Sequence, residues 1–305
     1  MLVVGDANVD LEIHLPSDRH RATHTNPDPQ LFGGGSAANT AAALARLGVE
    51  CRFAGAVGDD SFGRFAVESL IEAGVDTKQV IVAPGESTVT VIAVVQPDGE
   101  RLIYVWPPSG GAHSTLEPNQ VVGAVNGSTW LHVSGICLRV EPARDAVVAT
   151  MERARADGIP VSFDVNLRLE NWGWERGFRE VVEAAVERAD VVLGAASDEI
   201  GALAGIDDAA AAAAALAGDD RLVIARLGGA GAVACTAHGI WPAPGLDLSV
   251  ADTVCAGDAF TAGVNAARLG GKDVDDALRW GTAVAGLTVS RTGARSTPCR
   301  REVEM

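Results

Sequence analysis

The sequence predicts an α/β fold: a mostly parallel central sheet with crossover helices and a small β-rich lid. Three observations carry this prediction. Short β-branched runs alternate with longer helical patterns along most of the 305 residues. Two stretches break the alternation; both are extended and lack a helical period. Glycine-rich and Asx-rich turns recur just beyond the strands, where ligands bind in open parallel sheets.

Taken in order, Leu2–Val4 reads as a buried strand. Ser36–Leu47 is an alanine-rich helix closed by Gly48, Arg52–Ala56 a strand, and Phe62–Ala73 a helix closed by Gly74. Trp130–Val133, Val161–Asp164, Val191–Leu193 and Leu222–Ala225 are further short strands. Helical patterns at Pro142–Ala156, Phe178–Arg188 and Asp198–Ala204 lie between them, and Ala209–Ala217 reads as a surface helix. Ser87–Val95 is extended, Pro97-Asp98-Gly99 turns, and Arg101–Val105 extends again as a hairpin. Residues 11–32 also lack helical pattern. A lid from about 11–32 and 86–107 is therefore expected on a single domain spanning 1–305. The competing readings are a plain extension of the sheet or a dimer contact.

The net charge of −16 disfavours nucleic acid or an acidic membrane surface as partner. No apolar run is long enough for a membrane span, and the chain opens directly on a strand pattern. The five cysteines are scattered, with no CxxC, so reduced thiols, a cytoplasmic location and no zinc site are expected.

The chemistry concentrates in a few turns. Asp252-Thr253-Val254-Cys255-Ala256-Gly257-Asp258-Ala259-Phe260 reads as a tight turn feeding a helix that runs on to Leu269. The unpaired N–H groups and dipole of that helix start suit a phosphate, with Asp258 placed to take a proton. The plainer reading is a helix entry capped by Asp258. Gly33-Gly34-Gly35-Ser36 precedes another helix, without dinucleotide spacing and without a Walker lysine. Asn8 and Asp10 follow the first strand and suit sugar hydroxyls, or make an Asx turn. Gly228 and Gly231 would approach a nucleotide, or turn a hairpin. Arg168 offers a basic group, and Glu199 a carboxylate for hydrated magnesium. His14, His20, His24 and His113 lie in loops and His132 on an apolar strand; no hydrolase constellation forms.

Gly33-Gly34-Gly35-Ser36-Ala37-Ala38-Asn39-Thr40-Ala41 and Asp252–Phe260 resemble the two signatures of the ribokinase-like (PfkB) carbohydrate kinases. Val57-Gly58-Asp59-Asp60, His132-Val133-Ser134-Gly135, Asp164–Arg168 and Leu227–Gly231 match in support, over nearly the whole chain. The resemblance implies a three-layer ribokinase-like sandwich that transfers the γ-phosphoryl of Mg-ATP to a sugar hydroxyl. It implies Asp258 as general base and the N–H groups from Cys255 to Asp258, with Ala256 and Gly257 between, as anion hole. Asn8, Asp10, Gly34, Gly35 and Asn39 would hold the acceptor. Trp106, at the end of the lid hairpin, is placed either to stack on a sugar or base face or to pack the lid on the core, and Arg168 either to meet a sugar acid or to serve the structure. Gly228, Gly231, Arg226 and Thr253 would meet ATP, and Glu199 the magnesium ion (Mg2+) through water. Asp252 and the Val254 carbonyl, with the loop after Ser290, would hold a monovalent cation such as K+. Cys255 replaces the family's usual glycine, and Ala196 the asparagine of N-x-x-E. Ser36 stands where several relatives carry lysine, which points to an unphosphorylated sugar. The alternatives are a nucleoside kinase, including a pseudouridine-type one, and a catalytically weak sugar- or nucleotide-sensing protein. An exposed lid edge would suit a homodimer.

Overall fold

The computed structural model describes residues 1–15, 29–96, 101–108, 110–219, 221–291 and 295–305. Its strands are β1 (Leu2–Val4), β2 (Asn8–His14), β3 (Gln30–Gly34), β4 (Arg52–Gly58), β5 (Asp76–Ala83), β6 (Thr90–Val95), β7 (Arg101–Trp106), β8 (Leu131–Ser134), β9 (Val161–Asp164), β10 (Val191–Ala195), β11 (Leu222–Arg226), β12 (Gly231–Thr236) and β13 (Gly239–Pro244). They form a large sheet in the order β13-β12-β11-β10-β9-β8-β1-β4-β5 and a small one in the order β3-β2-β6-β7. From β5 to β11 every pairing is parallel; β12 and β13 close the edge antiparallel. β1 lies between β4 and β8, so the chain leaves it to both sides. That is the reversal point beyond which open α/β sheets form their crevice.

Successive strand side chains face opposite ways, and two apolar cores result. Val3, Phe53, Leu193 and Ile224 face one core, closed by α1 (Ser36–Arg46), α2 (Ser61–Glu72) and, after the three helices of the opposite face, α6 (Ala256–Leu269) and α7 (Val274–Val289). Val4, Ala54, Val133, Phe163 and Val192 face the other, closed by α3 (Ala143–Ala156), α4 (Arg176–Glu187) and α5 (Ala209–Ala217). The result is a three-layer α/β sandwich, as the resemblance implied.

In the small sheet, β2 pairs parallel with β6, and antiparallel pairs flank them. Both β-rich stretches contribute to it. Residues 16–28, including His20 and His24, and the turn Pro97-Asp98-Gly99 lie outside the described residues. Asp60 fastens this sheet to the core. It caps α2 by accepting from Gly63 N at 2.7 Å and holds Thr88 N at 2.8 Å, just ahead of β6.

Two expectations change. Ala209–Ala217 is no mere surface helix: Ala212, Ala213 and Ala217 are buried in the core. Asp198–Ala204 is not a regular helix; Ala196–Gly201 is a π-helical turn with only Ala202–Ala204 α-helical after it. β5 and α7 carried no sequence prediction. No single helix among the described residues is long and apolar enough to cross a membrane.

Candidate active site

A cleft of about 980 Å³ opens between the carboxyl ends of the parallel strands and the small sheet. Asp258 stands in it, in the first turn of α6. Its Oδ1 accepts from Ser36 Oγ at 2.7 Å and its Oδ2 from Asn39 Nδ2 at 3.0 Å. Ser36 Oγ in turn accepts from Asn166 Nδ2 at 2.9 Å. Burial lifts the Asp258 carboxyl to about 7, although the Ser36 and Asn39 hydrogen bonds oppose it. The group therefore changes charge near neutrality, as a general base should.

α1 carries Ser36 and Asn39 to this carboxylate because its own start is anchored from β1. Gly35 has no side chain to cap the helix; instead Asp6 accepts from Ser36 N at 2.8 Å and Ala37 N at 3.2 Å. Gly35 has φ 93, and a Cβ there would sit 2.7 Å from Asp6 O. A Cβ on Gly34 would sit 2.5 Å from the Asp10 carboxylate. The glycines thus make room for the protein's own groups; Gly35 also lines the cleft, and Gly34 lies behind it.

Cys255 caps α6 with φ 62, the left-handed region where glycine is at ease. Ala256 N turns back to Thr253 O at 3.3 Å, and Ala259 N closes the first helical bond to Cys255 O at 2.8 Å. The N–H groups of Gly257 and Asp258 between them have no partner within the helix. Burial raises the Cys255 thiol well above its ordinary pKa, so it stays protonated; its Sγ accepts from Asn39 Nδ2 at 3.1 Å.

Below this turn lies a buried ionic cluster. Arg226 meets Asp164 through two hydrogen bonds, of 2.6 and 2.9 Å, and reaches Glu199 Oε2 at 3.4 Å. Burial alone would raise Asp164, but the Arg226 guanidinium holds it below the usual carboxylate range. Burial wins at Glu199, whose carboxyl is raised despite Arg226. Glu199 also accepts from Leu167 N at 3.1 Å and Ala195 N at 2.6 Å.

Asn8, Asp10, Asn39, Arg168, Thr253, Val254, Cys255, Ala256 and Gly257 join Asp258, Glu199 and Arg226 along the cleft. Trp106 does not. Ile103 and Val105 of β7 face the cleft, and alternation turns Trp106 to the other side. The tryptophan in the cleft is Trp172, edge-on to Phe178 at 6.1 Å. Gly228, in the β11–β12 turn, and Gly231, the first residue of β12, lie outside the lining. A Cβ on Gly231 would meet the Ala243 carbonyl, so strand packing accounts for that glycine. Asp252 also lies outside the lining, buried, and accepts from Val254 N at 3.0 Å. Part of the loop after Ser290, residues 292–294, lies outside the described residues.

Sequence reasoning passed over five residues. Ser36 and Asp6 stood in quoted motifs but drew no role as partner or anchor. Asn166 stood in a motif too; its φ of 43 beside Arg168 at 48 marks a constrained turn. His113, read as a plain loop residue, lines the cleft. Its Nδ1 and the Oδ1 of Asn8 are buried and find no hydrogen-bond partner among the described residues. Burial lowers the His113 pKa, which keeps it neutral. Arg295 had no motif around it at all.

Two glycine-rich turns from opposite ends of the chain thus meet on one carboxylate, and the sequence matches the pfkB family carbohydrate kinase profile over residues 1–300. The chain belongs to the pfkB carbohydrate kinase family. Among curated relatives of this kinase, a fructokinase of Vibrio alginolyticus is 33% identical, over 96% of this chain and 93% of its own. An ATP-dependent ribose-1-phosphate kinase of Halopiger xanaduensis is 34% identical, over 87% and 83%. Among solved structures, a fructokinase from Vibrio cholerae with fructose, ADP and calcium bound superposes with a TM-score of 0.83 at 29% identity. That match covers 99% of this chain and 97% of the other. An aminoimidazole riboside kinase from Salmonella enterica, complexed with aminoimidazole riboside and an ATP analogue, gives 0.82 at 28%, covering 99% and 98%.

Proposed function

We propose that this pfkB kinase transfers the γ-phosphoryl of ATP to a hydroxyl of an unphosphorylated sugar of ribose, fructose or hexose type. The observation that carries the proposal is Asp258: near neutral in pKa, held by Ser36 and Asn39, and set in the first turn of α6. The acceptor hydroxyl gives its proton to an Asp258 oxygen as its own oxygen bonds the γ-phosphorus. The bond from that phosphorus to the bridging oxygen breaks, and ADP leaves with the electron pair. The N–H groups of Gly257 and Asp258 face the charge on the moving phosphoryl, with Arg226 behind Gly257. Phosphoryl transfer needs little else besides positioning.

Asn8, Asp10 and Asn39 line the acceptor end, with His113 as a neutral partner for another hydroxyl. Thr253 lies toward the nucleotide. The four-stranded sheet is read as a lid that excludes water. Among the described residues no three His, Cys, Asp or Glu side chains form a metal cage. That suits magnesium carried on nucleotide phosphates, because such an ion keeps water and takes at most a carboxylate or two. Glu199 would hold it through water, using lone pairs left by its backbone donors; the ion would neutralise phosphate charge. A K+ ion near Asp252 and Val254 and a cytoplasmic location belong to the same reading. So does a homodimer through the lid edge.

The acceptor is unphosphorylated because Ser36, buried and bonded to Asp258, gives no cation at that place. Arg168 is the exposed cation of the cleft and leaves a sugar acid as one member of the screen. A nucleoside is the second reading, favoured by the similarity to aminoimidazole riboside kinase. Purified protein is assayed for ADP release with Mg-ATP against sugars, sugar acids and nucleosides. Sugar-dependent release is expected, with Asp258→Asn abolishing it while sugar binding persists. Turnover by that variant at the wild-type rate sinks the base, and turnover with nucleosides alone sinks the sugar.

A further inference from the structure

We infer that Arg295 is a positioning residue for the reaction: its guanidinium fixes the Asn39 amide so that Nδ2 is committed to Asp258. The inference rests on the reading of Asp258 as base. Arg295 lies beyond α7, outside the cleft lining, behind the wall made by the first glycine motif. Its Nε donates to Asn39 Oδ1 at 3.2 Å, one Nη to Ser69 Oγ at 2.6 Å and the other to the Gly34 carbonyl at 3.4 Å. A guanidinium only donates, so it can take only the oxygen end of the amide. The nitrogen end is thereby turned to Asp258 Oδ2. Released from Arg295, the amide could turn over and set its oxygen against the carboxylate.

The space for this contact is built in. A Cβ on Gly33 would stand 2.5 Å from an Arg295 Nη, so the first glycine of the run admits the guanidinium. Burial works against the charge on Arg295, while the Asp10 and Asp258 carboxylates favour it. The same cation faces Asp10, whose carboxyl burial lifts to about 6 against the pull of Arg295. One arginine therefore bears on both ends of the reaction: it attracts the Asp10 carboxylate through charge and hydrogen-bonds the amide that orients the base. The other charged or titratable groups facing Asp258 are Asp164, Arg168, Arg226 and Cys255.

The test is a carboxyl-carbon NMR titration of Asp258 in the ligand-free full chain, beside kcat and KM against pH. Wild type is compared with Arg295→Met, Arg295→Lys and Ser69→Ala. Arg295→Met removes a cation and frees the amide, and both changes disfavour the carboxylate. The Asp258 titration and the acid limb of kcat are expected to rise together by about one pH unit. That gives about tenfold less turnover at pH 6 and little change at pH 9, with a smaller change in acceptor KM. Arg295→Lys should lie nearer wild type, and Ser69→Ala should shift the titration upward by less. A folded Arg295→Met protein with an unmoved Asp258 titration overturns the inference. So does an activity loss that is uniform across pH. If Arg295→Met does not fold, unmoved titrations in both Arg295→Lys and Ser69→Ala overturn it. If wild type phosphorylates no sugar, the proposed function fails, and the titration still decides the role of Arg295.

Discussion

Burial lifts the Asp258 carboxyl to about 7, so its protonation governs both rate and stability. As a base it must be ionised, and kcat should fall about tenfold per pH unit below that value. Stability runs the other way. The folded chain holds this proton up to about 7, whereas the unfolded chain gives it up near 3.8. The folded state therefore loses stability as pH rises through about 7. Asp258→Asn has no such loss. It should melt above wild type at pH 8, by a Tm gain on the order of a few degrees. The gap should shrink as pH falls from about 7 toward the ordinary carboxylate range; a gap constant with pH contradicts the burial argument. Cys255 allows a second test at this scale. At its left-handed φ a β-branched side chain is strained, whereas glycine is not. Cys255→Val should lower stability by about 1–3 kcal/mol in denaturant melts and reduce turnover. Cys255→Gly should keep both within a few tenths of a kcal/mol or improve them. The replacement of glycine was legible in the sequence, and so were Asp258 and Asn39. The partners Asp6, Ser36 and Asn166 were present in quoted motifs, but which atoms meet depends on a fold that one motif does not encode.

At the scale of elements, α6 is held in register by α7. Gly263 of α6 faces Gly281 of α7, where a Cβ on Gly263 would stand 2.9 Å from the Gly281 Cα. A Cβ on Gly281 would press on Val264 and Phe260. Gly281→Leu should separate the helices, cost about 1–3 kcal/mol or more in chemical denaturation, and lower kcat by tilting the turn that carries Asp258. An unchanged kcat in the folded variant would uncouple that packing from the site. These same small residues explain why α7 escaped notice. Glycine and threonine at the contact positions weaken the apolar period on which a sequence reading depends. β5 escaped for another reason: it is the sheet edge, mostly half-exposed, and lacks the buried run of a central strand. The central strands were readable because both faces are covered, which makes them nearly continuous apolar runs. Trp106 was misplaced by half a period. The strand was read correctly, but its facing depends on register against β6, which local sequence does not state.

Across the whole molecule, β7 is, among the described residues, one of the two edges of the small sheet, and Leu102, Tyr104 and Trp106 are all about half-exposed on its outer face. An apolar edge of this kind is a template for pairing. A second copy on this edge would cover the side on which Trp106 lies. Tyr104→Lys with Trp106→Lys should convert a dimer to a monomer in analytical ultracentrifugation; a wild-type monomer at high concentration would remove the pairing from the proposal. The architecture itself was legible from alternation and from the two extended stretches that form the small sheet. The meeting of the two signatures at one site came from the family resemblance and not from local pattern, because it spans more than two hundred residues.

That span has a consequence for how the protein can be divided. Ser36 and Asn39 lie 222 and 219 positions from Asp258, and Asn39 lies 256 from Arg295. A backbone cut in any surface loop between α1 and α6 leaves the proton acceptor and its holders on separate fragments. Neither fragment carries a complete reaction centre, so turnover returns only when the two find each other. The kinase is thus a candidate for split-protein complementation, in which phosphorylation of a small sugar reports that two tethered fragments have met.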